Sequence, residues 1–218
     1  MSAITVSRKL GSYGGRIAER VAQEMGWKFA DRFFVDAVIS EYGLIHLEEF
    51  YDKPPTLLDL FNENTAMTIE WMNKTVATLA AKYDVVILGR GGFAALKGYS
   101  DVFNVLVTAP DETRVKRVIE DNKVSRGVAQ EMVERDTDTK KRFVRRYYGQ
   151  NWADEDSYDL VVDTAEMSQD EAVQQIIEAA KARFGSGDGP KIGGMEVDRL
   201  LFQTIEDHFD SGRSLYQE

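Results

Sequence analysis

Residues 3–25 read AITVSRKLGSYGGRIAERVAQEM and supply the first strand, turn and helix of the predicted fold. The segment opens with a short β-branched run, AITVS, which predicts a strand over residues 3–7. A glycine-rich turn, LGSYGG, follows, and apolar residues then recur at i, i+4 and i+8 (Ile17, Val21 and Met25). That spacing predicts an amphipathic helix over residues 15–25 with one face packed on a sheet. The stretch is therefore typical of the first β-α unit of an α/β domain.

Four more short apolar runs continue this alternation, at residues 27–30, 84–88, 103–108 and 159–163. Three of the five runs contain contiguous apolar residues (TV, VVIL and LVV), as expected for strands that are buried on both faces. Helical periodicity lies between them, over residues 65–82, 111–121, 125–146 and 168–184, with Asp111 and Ser168 as predicted N-caps. The sequence therefore predicts a three-layer α/β domain with a parallel, five-stranded sheet and right-handed crossovers.

The composition is that of a globular domain, and it excludes several kinds of site. The 218 residues include 27 Lys and Arg against 37 Asp and Glu, and this net charge of −10 disfavours nucleic acid as a partner. Cysteine is absent, which excludes disulfides and cysteine-ligated zinc, and the two histidines, His46 and His208, stand in no metal-binding motif. No apolar run approaches the roughly 20 residues that span a bilayer, and the first residues lack a signal-peptide pattern. We therefore expect a cytoplasmic protein with no membrane partner.

The chain is expected to contain a main domain, a flexible linker and a C-terminal segment (residues 1–184, 185–194 and 195–218). Within the main domain, residues 33–64 are predicted to form an insertion that covers the substrate, and residues 123–152 a lid. The C-terminal segment carries an apolar stripe at helical spacing (Val197, Leu200, Leu201, Ile205 and Phe209). Such a stripe must be buried, either on the chain's own domain or on a protein partner, including a second copy in a homodimer.

The turn between the first strand and helix has the composition of an anion-binding loop. Glycines let a phosphate approach the backbone, and a helix N-terminus offers it free N–H groups. The expected loop residues are Gly11, Ser12, Tyr13, Gly14, Gly15 and Arg16. An ordinary tight turn would also use glycines, so both interpretations stay open at this point. Against the Walker A pattern GxxxxGK[ST], the chain has Leu10 for the first glycine, Arg16 for the lysine and Ile17 for the hydroxyl residue.

Two further stretches place arginines where an anion can bind. Gly89-Arg90-Gly91-Gly92 follows the third strand, and ligands of parallel sheets gather beyond the carboxyl ends of the strands. Arg90 can bind a phosphate there through two nitrogens, or it is a surface arginine in a turn. Residues 131–148, EMVERDTDTKKRFVRRYY, concentrate positive charge, and one helical face carries Arg135, Arg142 and Arg146. We expect this run to face phosphates, although a solvated helix would also accommodate it.

Five segments, in this order, resemble the cytidylate kinase-like family, relatives of bacterial cytidylate kinase among the P-loop nucleoside monophosphate kinases. They are SRKLGSYGGRIAERVAQEMGWKFADR, VVILGRGGFAAL, VTAPDETRVKRVI, MVERDTDTKKRF and YDLVVDTAEMSQDEAV. The resemblance extends from Ile4 to about Ala180. It implies P-loop nucleotide kinase topology, an insertion that binds a nucleoside monophosphate, and a lid that bears arginines.

The resemblance also implies roles for individual residues. The glycine loop, together with Arg135, would bind the donor ATP, and the residues in catalytic positions are Arg16, Arg90, Arg135 and Arg142. The acceptor nucleotide would contact Arg90, Asp136, Arg142 and Arg145. Two carboxylates before the insertion, Asp31 and Asp36, either face this acceptor or cap a helix. Other matched positions are Arg114 and Arg117, in the helix before the lid, and Asp163 and Thr164, at the end of the fifth strand.

The implied activity is that of a transferase: the γ-phosphoryl group of ATP passes to a nucleoside monophosphate, with CMP or dCMP as the expected acceptor. Mg²⁺ is the expected cofactor, with ligands that the sequence does not identify, because Ile17 cannot ligate a metal. True cytidylate kinases carry lysine and a hydroxyl residue where this chain has Arg16 and Ile17, and an aspartate where it has Gly91, whereas the GSxGGR loop and the GRG turn are typical of the cytidylate kinase-like group. Two alternatives therefore stay open: a nucleotide-binding regulatory module with weak activity, and a kinase for another small acceptor.

Overall fold

The computed structural model describes residues 1–43, 63–186 and 188–211. The strands are β1 (Ala3–Arg8), β2 (Lys28–Ala30), β3 (Val85–Leu88), β4 (Val102–Thr108) and β5 (Leu160–Asp163). The helices are α1 (Gly14–Met25), α2 (Arg32–Ser40), α3 (Glu63–Lys82), α4 (Gly92–Ala95), α5 (Asp111–Asn122), α6 (Arg126–Tyr148), α7 (Gln169–Ser186) and α8 (Arg199–Asp210). Short 3-10 turns lie at Glu155–Ser157 and Ile192–Gly194.

The five strands form one parallel sheet in the order β2-β3-β1-β4-β5, as predicted. β1 lies at the centre, and its Val6 is in register with Leu88 of β3 and Val105 of β4. Successive side chains of a strand point to opposite faces, and both faces are covered by helices, which explains the contiguous apolar runs. On one face, Ile4 packs with side chains of α1 and α7, and on the other Ile87 packs with side chains of α3 and α6. The predicted three-layer α/β architecture is confirmed.

The helix starts show which cap predictions hold. Ser168 caps α7 reciprocally: its hydroxyl accepts from the Glu171 N–H at 3.2 Å, while the Glu171 carboxylate accepts from the Ser168 N–H at 2.8 Å. The Ser168 N–H and the Ser168 hydroxyl both donate to the Glu171 carboxylate, and these two bonds lower the pKa of Glu171. The prediction that Asp111 is an N-cap is wrong, since α5 begins at Asp111 and Pro110 precedes it without a side-chain cap. The Asp111 carboxylate instead pairs with Arg114 one turn further along, at 2.6 Å.

The predicted insertion begins with α2, and its residues 44–62 lie outside the described residues. The predicted lid region contains one long helix, α6, whose C-terminal half is anchored in the core by Phe143 and Val144. In the predicted linker, the Ile192 N–H donates to the Asp101 carboxylate at 2.9 Å, and the Ile192 side chain is fully buried. The subdivision into a main domain, linker and tail stays a prediction. No helix of the described residues is both long and apolar enough to cross a bilayer.

The C-terminal helix α8 packs on the chain's own domain, against α2 and α3. Leu201 and Ile205 from the predicted stripe are fully buried. Leu200 was expected to share this burial, but its exposed fraction is 73%. The reason is geometric: Leu200 precedes Leu201 by one residue, about 100° around the helix, and so faces away from the line that joins Leu201 to Ile205.

Candidate active site

A cavity of about 390 Å³ lies at the carboxyl ends of β1, β2 and β3. Each of these strands supplies an arginine at or just after its last residue: Arg8, Arg32 and Arg90. The opposite wall is one face of α6, with residues at helical spacing (Val128, Glu131, Met132, Arg135, Asp136, Thr139 and Lys140). Parallel strands end at the same edge of a sheet, so three arginines that are far apart in the sequence meet in one cavity.

The cavity is cationic. Five of its lining side chains are cations (Arg8, Arg32, Arg90, Arg135 and Lys140), against the two carboxylates Glu131 and Asp136. This local excess of positive charge contrasts with the net charge of −10 for the whole chain. A concave, cationic site favours a multiply charged anion such as a phosphate ester, because cations on several sides lower its electrostatic energy.

Arg90 is held in place by its turn and by two oxygen acceptors. Its backbone has a φ of 52°, a left-handed conformation that few non-glycine residues adopt. The residue is 5% exposed, its guanidinium pairs with the Asp36 carboxylate, and one nitrogen lies 3.5 Å from the Arg32 carbonyl oxygen. A Cβ on the preceding Gly89 would lie 2.3 Å from Nη1 of Arg8, so glycine there makes room for Arg8. The turn therefore fixes the Arg90 guanidinium and leaves room for that of Arg8 in the same cavity.

Lys140 ties α6 to the end of β1. Its ammonium donates to the Arg8 carbonyl oxygen at 2.8 Å and to the Asp136 carboxylate at 2.7 Å, and it lies over the Trp152 ring. Asp136 also accepts from the Leu10 N–H at 3.2 Å. Burial lowers the pKa of Lys140 to about 8; the charge of Asp136 opposes this shift and the charge of Arg8 adds to it. The cavity thus contains a lysine that loses its charge close to neutral pH.

We expect phosphate binding to weaken as the pH rises through about 8, because the Lys140 ammonium is charged below that pH and neutral above it. A bound phosphate raises the pKa of Lys140 in turn, so the loss should extend from about 8 toward the ordinary value of 10.5. The ligand's own charge is constant in this window, since a phosphate monoester has its second pKa at about 6. Calorimetric titration with CMP across this pH range measures the effect.

The matched control for this titration is Lys140→Met, which should bind CMP more weakly and show a flatter pH profile. A wild-type affinity that does not change across the window, or a Lys140→Met protein with the wild-type pH profile, would rule out this role for Lys140.

The glycine loop lies beside the cavity, and the start of α1 is free to receive an anion. α1 has no side-chain cap and no acidic residue in its first turn. Ser12 is fully buried, and its hydroxyl has no hydrogen-bond partner among the described residues. A buried hydroxyl beside an uncapped helix N-terminus fits a phosphate oxygen that supplies the missing acceptor. These residues therefore fit a phosphate group.

Two arginines of α5 contact backbone carbonyl oxygens of the glycine loop. Arg117 donates to the Gly11 carbonyl oxygen at 3.2 Å and to Thr164 Oγ1 at 2.7 Å. Arg114, which is 2% exposed, donates to the Ala109 carbonyl oxygen at 3.1 Å and lies 3.4 Å from the Leu10 carbonyl oxygen. With their guanidinium groups on loop carbonyls, these arginines shape the loop.

The structure brings some of the expected site residues together and leaves others apart. Arg90, Arg135 and Asp136 line the cavity, and Asp36 contacts it through Arg90. Asp31 caps α2, with its carboxylate accepting from the Phe34 N–H at 2.9 Å. Outside the residues that line the cavity lie three exposed arginines (Arg16, Arg142 and Arg145). The Arg16 guanidinium lies over the Tyr13 ring at 5.3 Å, and Arg142 lies 3.9 Å from Asp138.

Sequence reasoning missed Arg8 and Arg32 as residues of the cavity wall, and it included Lys140 only as one of the cations of residues 131–148. A usable signal existed for the first two, because each stands at or after the carboxyl end of a predicted strand, as Arg90 does. For Lys140 the signal was its position four residues after Asp136, which places both on one helical face.

Among the described residues, no cluster of side chains would hold a magnesium ion without ligands from a bound phosphate. Ile17, at the position of the Walker hydroxyl, is fully buried. The described residues also contain no group of three or more His, Asp or Glu side chains placed to hold a metal. The positive charge around the loop and the cavity comes from guanidinium and ammonium groups.

Comparisons with known proteins agree with this geometry. A family model described as the cytidylate kinase-like family matches residues 3–166. The chain is 31% identical over 180 residues to the cytidylate kinase of Ignicoccus hospitalis, with 81% of this chain and 97% of that protein covered. It is 24% identical to an S-adenosylmethionine-dependent nucleotide dehydratase of Lacinutrix mariniflava, where the match covers 80% of this chain and 35% of that protein.

Among solved structures, an uncharacterized protein from Eubacterium ventriosum has a TM-score of 0.68 at 18% identity, with 84% of this chain and 99% of that chain covered. At this identity the likeness shows a common fold. The family match includes the glycine loop, the turn around Arg90 and helix α6, and it extends over most of the chain. The chain therefore belongs to the cytidylate kinase-like family.

Proposed function

We propose that the protein transfers the γ-phosphoryl group of ATP to a nucleoside monophosphate whose phosphate binds in the cationic cavity. The observation that carries this proposal is the convergence of arginines from three strand ends, which face Arg135 and Lys140 of α6 and lie next to the uncapped start of α1. Family membership supports the reaction class. CMP or dCMP is the proposed acceptor, because the relative with 31% identity is a cytidylate kinase.

On the acceptor side, the side chains that would hold the monophosphate are those that line the cavity. Arg90 presents a planar guanidinium that can bind two phosphate oxygens, and Arg135 and Lys140 face it from α6. Fixed cations on both sides of the acceptor would orient its attacking oxygen and stabilise the charge that develops during transfer. With α6 over the cavity, water would be excluded, which limits hydrolysis of the donor.

On the donor side, the N–H groups at the start of α1 and the Ser12 hydroxyl would bind the β- and γ-phosphates. ATP supplies the phosphoryl group, and as its magnesium complex it would carry the metal on its own phosphate oxygens. Arg16, in the first turn of α1, would take the position of the Walker lysine as a neutralising charge. Its guanidinium is planar and broad, so it replaces the charge of a lysine and not its geometry.

The proposal is tested by an assay that couples ADP formation to a spectroscopic signal, with MgATP and each nucleoside monophosphate in turn. We expect CMP or dCMP to give the highest kcat/KM. The absence of ADP formation above the ATP-only rate with every monophosphate would reject the proposed reaction. Selective turnover with a different monophosphate would reject only the proposed acceptor.

A second candidate function is nucleotide binding without useful transfer, which the burial of Ile17 favours because the loop then lacks a metal ligand. Calorimetry separates the two: tight binding of ATP and CMP together with no ADP formation would support a regulatory binding module. Measurable turnover after removal of residues 185–218 would count against it.

We expect Arg16→Ala to lower kcat by a factor on the order of 10², the scale of a lost transition-state donor. The KM for the monophosphate should stay the same, because Arg16 lies outside the cavity wall. Arg20→Ala is the matched control, since Arg20 lies on the same helix and pairs with Glu24 at 3.2 Å. An unchanged kcat in Arg16→Ala would remove Arg16 from the catalytic set. The same assay on Arg142→Ala tests whether this exposed arginine of α6 takes part in the transfer, and no loss of kcat there would leave Arg142 without a role.

A further inference from the structure

Helix α8 contacts α2 near both of its ends. Near the start of α2, the Phe34 ring stacks on the Phe209 ring, with centroids 4.4 Å apart and an interplanar angle of 28°. Just after the end of α2, the Tyr42 hydroxyl lies 3.1 Å from the Thr204 hydroxyl. Between these contacts, side chains of α2 share one core cluster with the two buried α8 residues, Leu201 and Ile205. α8 therefore covers the side of α2 that packs into the fold.

Another side of α2 contributes to the cavity. Arg32 lines it, and Asp36 forms the ion pair with Arg90. Phe34 lies midway between them in sequence, two residues from each. Residues two apart on a helix are about 200° apart around its axis, so the side that stacks on α8 lies opposite the side that faces Arg90.

A shift of α2 would therefore displace Arg90. The guanidinium of Arg90 is buried, and two of its acceptors belong to α2: the Asp36 carboxylate and the Arg32 carbonyl oxygen. A bidentate arginine binds a phosphate well only when its plane is fixed. The position of α2 thus sets the orientation of the arginine that would bind the acceptor phosphate.

We propose that α8 is a positioning element of the acceptor site, with Phe209 as its positioning residue. α8 begins after residue 166, where the family match ends, so this support is an addition to the family core. The inference rests on the proposed function, since it assigns the effect of α8 to the acceptor and not to the donor. Phe209 lies outside the residues that line the cavity and acts through Phe34 and α2.

The test is Phe209→Leu, which keeps an apolar side chain and removes the stacked ring. Its matched control is Phe202→Leu on the same helix: both rings contact Tyr83, at 5.2 Å for Phe209 and 6.0 Å for Phe202, while the stack on Phe34 belongs to Phe209. Two measurements are made on the full chain. Hydrogen exchange reports the protection of residues 32–40, and steady-state kinetics report the KM values for CMP and for ATP.

In Phe209→Leu we expect faster hydrogen exchange in α2 and a KM for CMP about three- to tenfold higher. This fold-change corresponds to the interaction free energy of one aromatic pair. The KM for ATP should change less than about twofold, and Phe202→Leu should match the wild type in both measurements. Unchanged exchange in α2, or an equal rise in both KM values, would overturn the inference. If the wild-type protein shows no turnover, the proposed function fails. The inference is then decided by hydrogen exchange in α2 and by the calorimetric affinity for CMP, both compared between the wild type and Phe209→Leu.

Discussion

Replacement of Arg90 by alanine should lower kcat/KM for the monophosphate by a factor of roughly 10³, because it removes a fixed bidentate phosphate ligand from a buried site. Arg90 is 5% exposed, sits in a left-handed turn and pairs with Asp36 at the cavity wall. The KM for ATP should remain near the wild-type value, since Arg90 is proposed to bind the acceptor and not the donor. Steady-state kinetics with CMP and ATP varied separately give both numbers.

Two companion variants make this result specific. Arg126→Ala removes an arginine that is 65% exposed and pairs with Glu112 on the surface, and it should keep wild-type kinetics. Arg90→Lys keeps the positive charge without the planar guanidinium, and we expect a kcat/KM between that of the wild type and that of Arg90→Ala. A kcat/KM for Arg90→Ala within threefold of the wild type would show that the acceptor phosphate binds elsewhere.

The second large effect is expected from Gly11→Ala in the glycine loop. Gly11 has a φ of +80°, and a Cβ there would lie 2.6 Å from the Arg114 carbonyl oxygen, a backbone atom of α5. The loop must move to accommodate the methyl group, which would displace the N–H groups at the start of α1 and the buried Ser12 hydroxyl. We expect the free energy of unfolding to fall by about 3 kcal/mol and the ATP affinity to fall at least tenfold.

Gly26→Ala separates the backbone strain of alanine at a positive φ from the steric clash with Arg114. Gly26 has a φ of +66°, and a Cβ there meets nothing within 4 Å, so alanine adds the backbone strain without the clash. We expect it to lower the free energy of unfolding by about 1 kcal/mol and to leave the ATP affinity unchanged. Denaturant unfolding and ATP calorimetry measure both variants. Equal effects of the two substitutions would show that the packing of Gly11 against Arg114 is unimportant.

The fold could be predicted from local sequence patterns, chiefly the short apolar runs. The runs TV, VVIL and LVV are apolar without alternation because both faces of their strands are covered, and each corresponds to a strand of the sheet. The glycines of the loop after β1, together with the helix start that follows, predict an anion site. The turn around Arg90 is predicted as a site because a parallel sheet places its ligands at the carboxyl ends of strands. The same rule applies to Arg8 and Arg32, which line the same cavity.

Other features depend on tertiary contacts that the sequence does not encode locally. Helical spacing placed Arg135 and Arg142 on one face of α6, yet the cavity wall includes Arg135 and ends at Lys140, where the helix meets the end of β1. Asp136 looked like a substrate ligand, and in the structure it binds the Leu10 N–H and Lys140. Leu200 belonged to the apolar stripe by spacing, but the direction from which α8 docks leaves it exposed.

The most direct test of the central claim, that one cationic cavity holds the acceptor phosphate beside the donor loop, is a crystal structure with a bisubstrate dinucleotide. We expect its cytidine-side phosphate within hydrogen-bond distance of Arg90 and Arg135, and its adenosine-side phosphates at the N–H groups of Gly14 to Arg16. A dinucleotide bound with all of its phosphates outside this cavity, while the Arg90 guanidinium contacts Asp36 and no phosphate, would contradict the claim.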